Sequence, residues 1–255
     1  MLKNAGVETF RPEPSTGRVF TTRRIVRSTE VTSSGRLRLD SLARYLQIAA
    51  EDDLADSGLA DPVVWLVRRC ELRIRRLPPM GERLTITTYC SGTGARWAER
   101  TTTVSDPDGA IVQACAVWTA VSQADGRPVA LSAEFRQVYG PSAGERVVSV
   151  RLRHPRPDPG ELASEGPDGS LRRRAWPLRS ADFDTAGHVN NAVHWAAVED
   201  ELVVTGWVPA MAEIEYPRAI EPGTRPVLAV RRAEAETLLW LLDGDRVLAS
   251  ALLVR

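Results

Sequence analysis

The sequence predicts an α+β chain made of two copies of one unit, each a single helix followed by antiparallel strands, and three observations carry that prediction. Each half contains one amphipathic helical period. Each period is followed by four strand-like runs divided by turn residues. The order strand, turn, helix, strands occurs twice. In the first half, Val19 to Val31 is rich in Thr, Val, Ile and Arg and reads as a strand, and Ser33-Ser34-Gly35 reads as a turn. From Leu39 to Leu54, residues Leu42, Tyr45, Leu46, Ala49 and Ala50 recur at steps of three and four, which places one apolar stripe on a helix. Trp65 to Ile74, Glu82 to Cys90, Trp97 to Val104 and Ala110 to Val121 follow as strands. They are separated by Pro78-Pro79-Met80-Gly81, Ser91-Gly92-Thr93-Gly94 and Asp106-Pro107-Asp108-Gly109.

The second half repeats the order. Leu171 to Arg179 is strand-like, Thr185-Ala186-Gly187 is a turn, and Asn191 to Val204 carries Val193, Ala197, Val198 and Leu202 on a helix. Ala212 to Tyr216, Pro226 to Arg232, Thr237 to Leu242 and Val247 to Val254 complete it as strands. Gly35 before the first helix parallels Gly187 before the second, and Pro79-Met80-Gly81 parallels Glu221-Pro222-Gly223. One such unit has an exposed sheet edge and an apolar face to bury, and two copies can cover both by pairing. Pro141 to Gly169 holds five prolines and no apolar period. The expected division is therefore a tail over 1–17, a first domain over 18–145, a linker over 146–169 and a second domain over 170–255.

Composition narrows the function classes. Hydrophobic residues make up 43% and charged residues 26% of 255, ordinary globular usage. Thirty-three basic and thirty-three acidic side chains balance, so no nucleic-acid partner is expected. Cys70, Cys90 and Cys115 show no paired spacing, which fits a reducing compartment, and the start of the chain lacks a secretory pattern, so the expected location is cytoplasmic. No run approaches the roughly eighteen apolar residues of a membrane span. The three histidines and three cysteines form no ligand spacing, so no metal is expected.

The stretch Asp182-Phe183-Asp184-Thr185-Ala186-Gly187-His188-Val189-Asn190-Asn191 resembles the D-x-D-x-x-G-H-V-N-N signature of hot-dog thioesterases. The wider chain resembles the acyl-acyl-carrier-protein thioesterase family. Ser34-Gly35-Arg36, Trp65 to Arg69, Gly81-Glu82 and Cys115 to Trp118 are similar to that family's first domain, and the likeness runs colinearly over most of residues 18 to 255. The resemblance implies two tandem hot-dog domains, each a helix wrapped by an antiparallel sheet, with catalysis in the second. It implies hydrolysis of a fatty acyl thioester to the free fatty acid, no cofactor, and acyl carrier protein or coenzyme A as head group; a homodimer stays open. Two departures bear on mechanism. Ala186 stands where plant-type members of the family carry Asn, and Ala219 and Ile220 stand where they carry Glu and Cys. Asp184-Thr185-Ala186-Gly187 is instead similar to the D-x-A-G of 4-hydroxybenzoyl-CoA-type thioesterases, whose Asp is catalytic.

Thioester hydrolysis needs a nucleophile or a base for water, and donors for the charge that develops on the carbonyl oxygen. Asp184 is the candidate for the first, with His188 and Asn190 as further catalytic candidates. The backbone amides at the start of the second helix are candidates for the second role. Partial burial in an acyl tunnel would raise the Asp184 pKa and nearby helix donors would lower it. Gly187 lets the chain turn close to a substrate, and Asn191, Leu42 and Leu46 are expected to contact it, with Ala49 beside them. Blander readings stand beside these: Asp184 as a turn or cap residue, Asn190 and Asn191 as caps, His188 as a surface group. His194 is expected to face elsewhere as a structural residue, His154 to lie exposed in the linker, and Glu51, Asp52 and Asp53 to form a solvated face. The cysteines are expected to be packing residues. By the register of Gly35, the first domain has Thr32 where the second has Asp184, so it is expected to be catalytically silent. Arg172-Arg173-Arg174, Arg68-Arg69 and Arg23-Arg24 are candidate contacts for an acidic carrier. A non-catalytic acyl-binding or carrier-docking protein is the alternative reading. Hydratase chemistry is disfavoured because no D-x-N-P-x-H pattern is present.

Overall fold

The computed structural model describes residues 10–60, 62–158, 160 and 171–255. The first part of the expected tail and most of residues 159–170 lie outside the described residues. The first unit runs β1 (Phe20–Ile25), α1 (Leu39–Ser57), β2 (Val63–Ile74), β3 (Arg83–Thr93), β4 (Trp97–Asp106), β5 (Gly109–Ser122) and α2 (Ala133–Ala143). The second runs β6 (Leu171–Ala175), α3 (Asn191–Thr205), β7 (Met211–Glu215), β8 (Val227–Arg232), β9 (Glu236–Asp243) and β10 (Arg246–Val254).

All ten strands join one antiparallel sheet in the order β1-β3-β4-β5-β2-β7-β10-β9-β8-β6. Read outward from the middle, both halves follow the same sequence of strands, so the two units are related by a pseudo-twofold axis at the junction of β2 and β7. There Arg69 pairs with Glu215, Cys70 with Ile214 and Leu72 with Ala212, so the edge that each unit would expose is closed by the other. The helices α1 and α3 touch each other on one face of this sheet. Leu42, Ala49, Leu72, Trp195, Val198, Leu202 and Ile214 are buried there in one continuous core. Nine of the fifteen residues of α3 are buried, which fits a helix enclosed between sheet and partner helix and not a surface helix with one stripe.

Two expected strands are shorter than the sequence suggested. Val19 to Val31 ends as a strand at Ile25, and Leu171 to Arg179 ends at Ala175; a 3₁₀ turn follows in each case, at Ser28–Glu30 and Ser180–Asp182. The cause is the same in both. Glu30 reaches back to the amide of Arg27 at 2.7 Å and Asp182 to that of Arg179 at 2.7 Å, which closes a turn where β propensity alone would extend the chain.

Helix α2 was not anticipated, since Gly140, Pro141 and Ser142 weaken any helical reading. It forms because Ser132 caps it, accepting from the amide of Phe135 at 2.9 Å, and because Phe135 and Tyr139, one turn apart, stack with centroids 4.9 Å apart over Cys90, Ala98 and Ala120. Pro141 falls near its end, where the ring disturbs little. Among the described residues no helix is long and apolar enough to cross a membrane.

Candidate active site

The loop that leads into α3 is built from its own backbone. Phe183 bridges to Val189, the amide of Asp184 donates to the His188 carbonyl at 2.9 Å, and that of Gly187 donates to the Asp184 carbonyl at 3.0 Å. Gly187 has φ +76°, a left-handed conformation that a side chain would strain. The Asp184 carboxylate closes the loop, since its Oδ1 accepts from the amides of Ala186 at 2.9 Å and His188 at 3.3 Å. Its Oδ2 has no protein partner among the described residues. The acid is exposed, contrary to the expectation of a partly buried tunnel position, because the turn holds it outside the strand face.

Asn190 is the helix cap: its Oδ1 accepts from the amide of Ala192 at 2.9 Å, and its carbonyl accepts from that of Val193 at 2.9 Å. The amide of Asn191, the first of the helix, has no acceptor among the described residues, nor does its side chain have a partner. A helix start with a free donor is a site for negative charge.

Asp184, Ala186, His188 and Asn191 border a cavity of about 390 Å³. Its polar end is formed by Asp184, Ala186, His188, Asn191 and His194 of the second unit, and its apolar wall by Leu54, Val63, Trp65, Trp118, Phe135 and Tyr139 of the first. The volume lies within the usual range of small-molecule sites. Among the residues expected to bind substrate, Asn191 lines this cavity, and Leu46 lines a neighbouring space of about 40 Å³ together with Gln47 and Asn191. Leu42 does neither: it is 0% exposed in the main core, because α1 turns its Leu42 face to the sheet and its Gln47, Ala50, Glu51 and Leu54 face to the cavity. Gly187 shapes the loop and Asn190 the helix start, and neither lines the cavity wall.

His194 corrects an expectation. It lines the cavity; spacing from His188 misled because His188 precedes the helix and the helical angle per residue does not extend to it. Its Nδ1 lies 3.2 Å from the Asn190 carbonyl, an acceptor, so the neutral ring carries its proton there. Its Nε2 is then a buried acceptor without a protein partner among the described residues. Burial lowers its pKa to about 4, against a smaller opposing effect of the Asn190 and Asn191 backbone. The ring packs edge-on against Tyr216, whose hydroxyl donates to the Asn191 carbonyl at 3.3 Å. Burial pushes all three cysteine thiols up, which leaves them poor nucleophiles.

Three further placements differ from the sequence reading. The side chain of His154 is buried, 3% exposed, because the linker lies against the sheet over β7 and β10. Its ring nitrogens meet Ser250 Oγ at 2.9 Å and Glu213 Oε1 at 3.1 Å, while Glu215 accepts from the amides of Arg153 and His154 at 2.5 and 3.1 Å. His154, Glu213 and Glu215 offer ligand atoms within 4.8 Å of one another and so could hold a metal ion, a grouping hidden in the sequence by separations of 59 and 61 residues. Arg69, 3.4 Å from Glu213, and the two linker amides already satisfy these carboxylates. Asp53 is no solvated acid: it is 1% exposed between Arg18 and Arg100, each at 2.6 Å. Of the basic pairs, Arg68 lines the cavity and Arg69 is buried on the opposite face, while Arg172, Arg173 and Arg174 are exposed on the edge strand β6.

The first unit has a matching loop. Val31 bridges to Leu37, the amide of Thr32 donates to the Arg36 carbonyl at 2.8 Å, that of Gly35 donates to the Thr32 carbonyl at 2.9 Å, and Gly35 has φ +85°. Thr32 therefore stands where Asp184 does, Arg36 where His188 does and Leu39 where Asn191 does.

Residues 17–139 match the sequence model described as the acyl-ACP thioesterase N-terminal domain, where ACP is acyl carrier protein. The first half of the chain is thus similar to the N-terminal domain of the acyl-ACP thioesterase family. The whole chain is similar in structure to a protein described as an oleoyl thioesterase from Lactobacillus plantarum, with a TM-score of 0.78 at 22% identity over 94% of this chain and 96% of that one. It is likewise similar to the 12:0-ACP thioesterase of Umbellularia californica, with a TM-score of 0.75 at 19% identity over 92% and 96%. Two uncharacterized proteins of Mycobacterium tuberculosis strains are 27% identical over 95% of this chain and 94% of their own length. The two units of this acyl-ACP thioesterase relative are thus tandem hot-dog domains, each a helix wrapped by its half of the antiparallel sheet.

Proposed function

We propose that the protein hydrolyses a fatty acyl thioester, with acyl carrier protein as the head group and the second domain as the catalytic one. One observation carries the reading: a single cavity holds an acid, an unpartnered helix-start amide and a long apolar wall. The acyl chain lies along Trp65, Trp118 and Phe135, which places the thioester carbonyl at the start of α3. Asp184 Oδ2 takes a proton from water as the water oxygen attacks the carbonyl carbon, and the charge moves to the carbonyl oxygen, which the Asn191 amide holds. Collapse of the adduct breaks the carbon–sulfur bond, and the proton goes to the departing thiolate. Gly187 and Asn190 fix the loop and the helix start. His188, which lines the cavity beside Asp184, orients the water. His194 Nε2 offers one more acceptor at the polar end.

Two features support a second reading, a protein that binds acyl thioesters without cleaving them. Asp184 Oδ1 is committed to two loop amides, and Ala186 and Ala219 line the cavity where the family pattern has polar groups. Release of free thiol from acyl-ACP and acyl-CoA of varied chain length separates the two. Hydrolysis by the wild type, lost by about a hundredfold or more in Asp184→Asn with its unfolding midpoint retained, supports the enzyme. Wild-type rates in Asp184→Asn would remove the role assigned to that carboxylate.

A further inference from the structure

The two helix starts are treated differently. In the first domain the Leu39 amide, first of α1, donates to Glu199 Oε2 at 3.0 Å. The same carboxylate accepts from Arg36 at 2.7 and 3.2 Å. Glu199 belongs to α3 and is buried, so a carboxylate from the opposite helix fills this helix start from within. In the second domain the equivalent amide is that of Asn191, which has no acceptor among the described residues and belongs to a residue that lines the cavity.

The pseudo-twofold axis identifies the residue that faces it. Glu199 lies eight residues beyond Asn191, and eight residues beyond Leu39 is Gln47 of α1. Gln47 lines the cavity together with Asn191, as the symmetry requires. It is the amide counterpart of glutamate, with nearly the same shape and no charge. Its Nε2 donates to Glu51 Oε1 at 3.1 Å, which turns the side chain along its own helix. A carboxylate at this position would be repelled by Glu51 and drawn to the Asn191 amide, as Glu199 is held at that of Leu39. Arg100 would not divert it, being held by Asp53 at 2.6 Å.

We propose that Gln47 is a positioning residue that keeps the second helix start open, and that the side chain at this place in each helix decides whether the opposite start is closed from within or receives a ligand's negative charge. The identity of that charge, the oxygen of the thioester as it is attacked, rests on the thioesterase reading.

The full-length Gln47→Glu variant tests this, with Gln47→Ala beside it. Two quantities are read: thiol release from a medium-chain acyl thioester, and calorimetric binding of dodecanoate, whose carboxylate needs the same helix start but no catalysis. In Gln47→Glu the unfolding midpoint is retained or raised, turnover falls about a hundredfold, as for loss of one oxyanion donor, and dodecanoate binding is lost. Gln47→Ala loses less of both. Wild-type binding and turnover in Gln47→Glu overturn the proposal, and so does a loss in Gln47→Ala as large as in Gln47→Glu. A wild type that binds dodecanoate but releases no thiol defeats the thioesterase reading and leaves the binding test of Gln47 standing. A wild type that does neither overturns both.

Discussion

Replacing Glu199 by alanine removes the carboxylate that joins the two domains on their helical face. Two groups lose their partner. The Leu39 amide, in a residue 0% exposed, becomes a buried donor without an acceptor, a cost of about 1–3 kcal/mol. Arg36 loses a two-pronged pair, and because its side chain is 21% exposed, water recovers part of that interaction. The combined loss is about 3 kcal/mol. For a chain of this size that lowers the unfolding midpoint by roughly 6–12 °C. Glu199→Gln keeps an oxygen for the Leu39 amide and loses only the charge, so its effect is about half as large. Scanning calorimetry of both variants and of Arg36→Ala measures this, and the double variant reports the coupling between them. A midpoint in Glu199→Ala within about 2 °C of wild type would show that water serves this helix start as well as the carboxylate does.

Two further outcomes follow from buried imidazoles. His194 has a folded pKa of about 4 against 6.5 when unfolded, because burial disfavours the charged ring. As pH falls the unfolded chain takes the proton first, so its contribution, unperturbed above pH 6.5, turns unfavourable between about 6.5 and 4, by up to about 3 kcal/mol. The unfolding midpoint of His194→Phe should fall less steeply than that of wild type over that range, and parallel curves would contradict the assignment. His154→Ala unties the linker from Glu213 and Ser250, a loss of about 1–3 kcal/mol, and should speed proteolytic cleavage within residues 151–158; an unchanged digestion pattern would mean that the Arg153 and His154 amides on Glu215 hold the linker without the ring.

The repeat, the two long helices and the strands of both domains were legible because each depends on local period and turn residues. The loop from Asp184 to Asn191 was legible as a motif, and the counting from Gly35 that set Thr32 against Asp184 agrees with the paired hydrogen bonds of the two loops. What stayed hidden was decided by contacts far apart in the chain. His154 meets Glu213 across 59 residues and Arg36 meets Glu199 across 163, and no spacing rule reaches that distance. Leu42 and Gln47 lie on the same amphipathic helix, and only the position of α3 beside it determines which of them faces the cavity. Helix α2 was missed for a different reason: its stability comes from Phe135 and Tyr139 packing on β3 and β4, which outweighs a run of poor helix formers.

A tandem duplication lets one copy meet a demand that conflicts with the needs of the other. A helix start that leaves one amide without an acceptor is less stable than one with every amide satisfied, yet only a free amide can receive charge from a ligand. In a symmetric pair both starts would have to be the same. Here the first start is closed by Glu199 and Arg36, and the closing side chain comes from α3 itself, so the tie that stabilises the first domain also fixes α3 against α1. The open start at Asn191 belongs to that same helix. The first domain, which has no acid at the Thr32 position, is thus tied to α3 through Glu199, two turns beyond Asn191 on the same helix.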